Sequence, residues 1–204
     1  MCSARFSVRY MTGSIQVWRI RLDDAIVPPP SPGELARSAR FRLPDLAERY
    51  LKSHAALRDI LSHCTDAPLD FALHQHGKPY LPLAPHIRFN LSHSHEMALV
   101  AVTLDHEVGV DIERLRPLPR FVELAERFFP PSEPRPANET DFFRQWTRIE
   151  AVLKARGVGL HGASVDPEGE WTVSEIPAPE GFAAAVAVEG PAIPITVYDY
   201  GIDQ

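Results

Sequence analysis

Val108-Gly109-Val110-Asp111-Ile112-Glu113 alternates without a break between bulky apolar residues and small or acidic ones. Successive side chains of a strand point to opposite faces, so Val108, Val110 and Ile112 belong to one face and Gly109, Asp111 and Glu113 to the other. Two carboxylates two residues apart therefore project together, and their repulsion is costly unless a cation or basic groups lie between them. Gly109 has no side chain to obstruct that space. Taken alone, Asp-x-Glu also fits an exposed edge pair that keeps a strand soluble.

The flanking sequence supplies the rest of a layered α and β pattern. Strands are expected from Ile87 onward: Met97–Leu104 is apolar and rich in β formers, Asp105-His106-Glu107 can turn, and 97–113 reads as a hairpin. Upstream, Leu46, Tyr50, Leu57 and Leu61 recur at helical spacing, which predicts an amphipathic helix over Pro44–Ser62. Its polar side carries Arg49, Lys52 and Arg58, and Arg37, Arg40 and Arg42 lie just before it. Any one of these arginines fits a solvated helix face; the cluster stands out because the chain carries a formal net charge of -6. Pro28-Pro29-Pro30-Ser31-Pro32-Gly33 separates this region from an alternating first strand at 14–20. Downstream, the proline-rich stretch 130–136 is a loop. A helix follows, with Thr140 or Asp141 as cap, Phe142, Trp146, Ile149 and Leu153 on one face, and Gly157 and Gly159 as its stop. Further strands are expected at 171–173, 182–188 and 195–200.

Three segments carry chemistry. Gly77-Lys78-Pro79 together with Asn90-Leu91-Ser92-His93-Ser94 offers donors suited to phosphate. The strand offers Asp111 and Glu113. The helix at 146–154 offers Glu150 beside the apolar stripe, where packing on the sheet would aim it at the same ion, and Lys154 one turn on. An ordinary i,i+4 pair of Glu150 with Lys154, worth about a few tenths of a kcal/mol, is the plainer reading and is compatible with metal binding. Three carboxylates facing a basic surface suit a magnesium-dependent reaction on a pyrophosphate. Oxygen-only ligands favour Mg²⁺ or Mn²⁺. His74-x-His76 and His93-x-His95 offer zinc as an alternative, although no acidic or cysteine ligand is interleaved with them.

With 204 residues, 45% hydrophobic and 24% charged, the composition is that of a globular protein large enough for one domain or two compact halves. The negative charge argues against general nucleic-acid binding, so no nucleic-acid partner is expected. Cys2 and Cys64 are the only cysteines, which supports neither a disulfide framework nor a cysteine zinc site and fits a reducing compartment. Near the N-terminus Val8, Ile15, Val17, Trp18 and Ile20 are interrupted by Arg9, Gln16, Arg19 and Arg21. That pattern lacks the unbroken apolar run of a signal peptide, so a cytoplasmic protein with no membrane association is expected.

At these residues the chain resembles the surfactin-synthetase-activating (Sfp-type) 4′-phosphopantetheinyl transferases, from about Arg37 to Leu160. Phe89-Asn90-Leu91-Ser92-His93-Ser94 and Val108 to Glu113 look like the family's first two motifs, and Trp146 to Lys154 is similar to its third, W-x-x-K-E-A-x-x-K. One departure is Ile149, where the family has lysine before the helical glutamate; the neighbouring Arg148 offers a charge in compensation. The resemblance implies an α+β fold of two similar halves related by a pseudo-twofold axis, here 1–106 and 107–204, with a boundary near His106. It implies transfer of the phosphopantetheine arm of coenzyme A to a serine of an apo acyl, peptidyl or polyketide carrier protein, releasing adenosine 3′,5′-bisphosphate. Asp111, Glu113 and Glu150 match the family's metal ligands. Lys78, Ser92 and His93, with Arg37 and Arg49, match positions that contact coenzyme A. Lys154 matches a lysine near the reacting pyrophosphate, and Glu150 is the candidate base. A monomer is implied. A pyrophosphohydrolase using water, and a carrier-binding homologue without activity, are the competing readings.

Overall fold

A computed structural model of the chain describes residues 13–158 and 169–201. Cys2, Gly159 and Leu160 lie outside the described residues. Two antiparallel-based sheets, each with a long helix, make an α+β fold. The first sheet uses β1 (Ile15–Arg21), β4 (Ile87–Ser94), β5 (Met97–Leu104) and β9 (Ile195–Asp199) in the order β4-β5-β1-β9. It carries α1 (Pro32–Ser38) and α2 (Pro44–Ser62), with a short pair, β2 (Ala72–Leu73) and β3 (Pro79–Tyr80), beside it. The second sheet uses β6 (Val108–Arg114), β7 (Trp171–Glu175) and β8 (Phe182–Glu189) in the order β6-β8-β7, and carries α3 (Phe121–Phe128) and α4 (Glu139–Arg156).

The two sheets share one connectivity. In the first, β1 leads through α2 to β4 and β5, in the order β4-β5-β1; in the second, β6 leads through α4 to β7 and β8, in the order β7-β8-β6. Every pairing in these two three-strand sets is antiparallel. The C-terminal strand β9 then crosses back to run parallel to β1. No described helix is long and apolar enough to cross a membrane.

α2 has the predicted bounds. Pro44 sits at its first position, where the missing N–H costs nothing, and Ala56, Leu57, Ile60 and Leu61 bury its second half against Trp18, Ile20 and Phe89. Leu46, expected on that face, remains exposed. The predicted hairpin of β5 with β6 does not form. Both edges of β5 are taken, by β4 and β1, and β6 pairs with β8 in the other sheet. Asp105, with φ 62°, turns the chain sharply between them. The hairpin that does form joins β4 to β5 through His95 and Glu96, with His95 in the left-handed region at φ 55°. α4 also begins earlier than expected. Asn138 is its cap, its side chain accepting from the Asp141 N–H at 2.9 Å, which leaves Thr140 and Asp141 inside the first turn. Gly157 ends the helix at φ 68°, as its sequence position suggests.

β6 is buried on both faces. Val108, Val110 and Ile112 join Ile15, Val17 and Leu99 between the sheets, while Gly109 faces α4. A Cβ built on Gly109 would stand 2.1 Å from the Ala151 carbonyl oxygen and 2.4 Å from the Ala155 nitrogen. These are helix backbone atoms that cannot swing aside. Gly109→Ala should therefore push α4 off the sheet and destabilise the fold by about 1–3 kcal/mol or more. Thermal denaturation checks this, with a midpoint lowered by about 2–4 °C per kcal/mol.

Candidate active site

Asp111 lies two residues beyond Gly109 on the same face of β6 and is only 4% exposed beneath α4. Lys154, on α4, reaches down to Asp111 Oδ1 at 2.6 Å and to Ser92 Oγ at 2.8 Å. The Ser92 hydroxyl in turn donates to Asp111 Oδ1 at 2.8 Å. Asp111 Oδ2 is buried with no hydrogen-bond partner. Burial pushes this carboxyl above its usual range, although Lys154 and Ser92 pull the other way.

Glu113, the next carboxylate on the same face, is half-buried. Its Oε2 accepts from Ser94 Oγ at 3.0 Å and from the Arg116 guanidinium at 3.2 Å, and that guanidinium sits over the Phe143 ring at 4.8 Å. Glu150 comes from α4, four residues before Lys154. Among the described residues no hydrogen bond or ion pair reaches its carboxylate. Burial first, and then the charges of Asp111 and Glu113, push it up to about 7, with Lys154 offsetting part of the effect. The helix and the strand thus bring Asp111, Glu113, Glu150 and Lys154 into one electrostatic neighbourhood.

β4 contributes more than Ser92. Asn90 Oδ1 accepts from the Val110 N–H at 3.0 Å, and Ser94 Oγ accepts from the Arg114 N–H at 3.2 Å. Asn90, Ser92 and Ser94 alternate along β4 and face β6, where each engages a residue of the acidic strand. Asn90 and Ser94 lie in the segment expected to offer donors to phosphate, and here they accept from the backbone of β6 instead; their period-2 spacing with Ser92 is the signal for that role.

The basic residues divide. His93 lies on β4 between Ser92 and Ser94: desolvation first, then the positive charges of Lys154 and Arg49, hold its imidazole below the ordinary range. Arg49 is half-buried on α2, and Arg37 is exposed in the last turn of α1, where its charge acts on Tyr50 and His54. His54, on α2, feels the charge of Arg37 and of His93 as well. Lys78 stands apart. Its ammonium donates to Glu107 Oε2 at 2.5 Å, Ala155 O at 2.6 Å and Val108 O at 3.2 Å, which uses all three of its N–H bonds. Ile149 is 8% exposed in the cluster of Phe142, Phe143 and Leu153, the apolar stripe expected of it. Arg148 lines a cavity of about 130 Å³ with Ile149, Val152, Trp171 and Val173, bounded by β7 at the opposite edge of the sheet from β6. It therefore brings no charge to the carboxylates.

Among the described residues no group of three or more acidic, histidine or cysteine side chains is placed to hold a metal ion, and Asp111, Glu113 and Glu150 are no exception as they stand. For zinc, His74 stacks instead on Tyr80 at 4.3 Å. The donor chemistry does fit a hard divalent cation. Asp111 Oδ2 is a buried, unpartnered carboxylate oxygen, and Glu150 is a carboxylate that lacks any counter-charge in hydrogen-bond contact.

Comparison with known proteins bears on this arrangement. The family model described as the 4′-phosphopantetheinyl transferase superfamily matches residues 107–191, which contain β6 and α4. The 4′-phosphopantetheinyl transferase HetI of Nostoc sp. (strain PCC 7120 / SAG 25.82 / UTEX 2576) is 32% identical over 212 residues, covering 88% of this chain and 90% of that protein. A 4′-phosphopantetheinyl transferase of Bacillus subtilis is 36% identical over 101 residues, 46% of this chain and 44% of its own length. The Sfp transferase of Bacillus subtilis (strain 168) is 29% identical over 140 residues, 64% and 61% of the two chains.

The raised pKa of Glu150 has a measurable sign. In metal-free buffer the folded state keeps the Glu150 proton up to about pH 7, whereas an unfolded chain releases it near about 4.3. Between these values the folded state binds more protons, so stability falls as pH rises through that window. Asp111, also raised, acts in the same direction. Glu150→Gln should flatten the fall. Thermal midpoints between about pH 5 and pH 8 would read it, with the variant losing less than the native protein.

Proposed function

The chain belongs to the 4′-phosphopantetheinyl transferase superfamily, and we propose that it transfers the 4′-phosphopantetheine arm of coenzyme A to a serine hydroxyl of an apo carrier protein. The observation that supports this reading is the convergence of Asp111 and Glu113 from β6 with Glu150 and Lys154 from α4.

In this reaction the carrier serine oxygen attacks the β-phosphorus of the pyrophosphate. The anhydride P–O bond breaks, the bond electrons leave with the adenosine 3′,5′-bisphosphate oxygen, and the serine proton must be taken up. Such a transfer asks for positioning and charge stabilisation more than for covalent chemistry by the protein. Asp111, Glu113 and Glu150 would hold Mg²⁺, or Mn²⁺ in its place. The ion would supply charge neutralisation at the pyrophosphate oxygens. Ser92 orients Asp111, and Lys154 balances part of the acidic charge and stands ready for the phosphates. Arg37, Arg49 and His93 suit the phosphates of coenzyme A and the acidic surface of a carrier. Glu150, directly or through a water, is the candidate acceptor of the serine proton. The reading extends to a cytosolic monomer with 1–106 and 107–204 as its halves; the common connectivity of the two sheets supports that division.

Intact-mass spectrometry of apo acyl, peptidyl and polyketide carriers, incubated with coenzyme A and Mg²⁺, tests the reading. The expected result is one added phosphopantetheine on a carrier, lost on chelation of the metal. Coenzyme A breakdown without any carrier would identify a pyrophosphohydrolase instead. Asp111→Ala should lower transfer by at least about a hundredfold; near-native activity would remove Asp111 from the metal set. Charge reversal at Arg37 or Arg49 should raise the KM for coenzyme A or for the carrier. An unchanged KM for both would return these arginines to an ordinary solvated surface.

A further inference from the structure

Lys78 follows Gly77, whose φ of 87° makes the tight turn between β2 and β3. The turn is closed by the His74 N–H on the Lys78 carbonyl and the Gly77 N–H on the His74 carbonyl. It aims a lysine from the first sheet's side of the molecule into the second. The side chain is 9% exposed, and its ammonium ends where three pieces of the second half meet. Ala155 O is one of the last carbonyls of α4, which have no partner within the helix and carry the negative end of its dipole. Val108 O belongs to the first residue of β6. Glu107 lies in the connection that carries the chain from β5 to β6, and its other oxygen is held by Arg88 at 3.1 Å. The lysine stem also packs on the helix stop: a Cβ on Gly157 would stand 3.3 Å from Lys78 Cδ.

Ala155 is also the residue whose backbone Gly109 admits, and it directly follows Lys154. A tether at Ala155 therefore fixes the height and rotation of the turn that carries Lys154 over Asp111. Buried as it is, the ammonium can serve a phosphate only by giving up a carboxylate and two carbonyls.

We propose that Lys78 is a positioning residue: by joining the C-terminus of α4 to the Glu107 junction and the start of β6, it sets where Glu150 and Lys154 stand over Asp111. The proposal rests on the transferase reading above, and the contacts separate it from a coenzyme A ligand role.

Two measurements test it. The first is steady-state kinetics of Lys78→Met, which keeps the stem and removes the charge, beside Glu107→Gln and the double variant. The expected result for Lys78→Met is a kcat lowered by at least about tenfold, as misplacement of catalytic groups produces, with KM for coenzyme A changed by less than about twofold. Glu107→Gln should lower kcat in the same direction, and the double variant should lose less than the product of the single losses, because the two act through one contact. A raised KM with kcat retained would overturn the proposal, as would kcat unchanged in both single variants. The second measurement does not depend on the variants folding. Amine-selective labelling of the native protein, read by peptide mass spectrometry, should leave Lys78 unmodified both with and without coenzyme A. Ready labelling that coenzyme A suppresses would make Lys78 a ligand and overturn the tether. Native transfer to a carrier, measured in the same preparation, shows whether the transferase reading itself stands.

Discussion

The close approach of α4 to β6 is the constraint from which the site follows. It is possible because the contact is lined by the smallest residues. Gly109 on β6 meets Ala151 and Ala155 on α4, and Ala185 and Ala187 of β8 continue the same low surface. With no side chains to hold the two apart, the helix backbone settles directly on the strand. Lys154 then spans the short remaining distance to Asp111 Oδ1 at 2.6 Å. A leucine at any of these positions would lift the helix and separate the carboxylates that the chemistry needs together.

That proximity has an electrostatic cost, and the surrounding polar groups offset only part of it. Asp111 is raised by burial despite an ammonium and a hydroxyl on one oxygen, and Glu150 is raised to about 7 by burial and by Asp111. A protein selected only for stability would not leave Asp111 Oδ2 buried and unpartnered. Acidic groups held in this state gain from a divalent cation what the fold withholds from them, so destabilisation of the free site and affinity for metal are two aspects of the same arrangement. The other side of the site is held by β4. It and β6 are edge strands of different sheets and share no ladder, yet an edge strand's unpaired N–H groups need partners. Asn90 and Ser94 supply them from side chains, at Val110 and Arg114, while Ser92 takes Asp111 itself. The Asn-x-Ser-x-Ser pattern thus does between two sheets what backbone pairing does within one.

Much of this was legible in local sequence because it is set by local rules. The alternation of 108–113 gave the faces of β6 correctly, since strand periodicity does not depend on which strand lies alongside. α2 carried its own start signal in Pro44, and Ile149 fell on the apolar stripe of α4 as its spacing required. The neighbours of β6 were not legible. Alternation says nothing about pairing, and Asp105-His106-Glu107 fits a hairpin turn as well as it fits a passage between sheets; only the occupation of both edges of β5 decides. The fate of Lys78 was hidden for a related reason. A lysine after a turn glycine has the same local sequence whether its ammonium meets solvent, a phosphate or the end of a distant helix.

Ile149 shows why a charge can be absent from the third motif without emptying the site. Neighbouring residues of a helix point about 100° apart, so positions 149 and 150 leave the helix in different directions. Positions 150 and 154, four apart, do share a face, and both lie over Asp111. Position 149 is turned instead toward Phe142, Phe143 and Leu153, where an ammonium would be buried among aromatic rings. Isoleucine there strengthens the packing that holds α4 in place, and the positive charge at the carboxylates comes from Lys154. The departure from the W-x-x-K-E pattern therefore changes how the helix is anchored and leaves intact the set of groups that faces the strand.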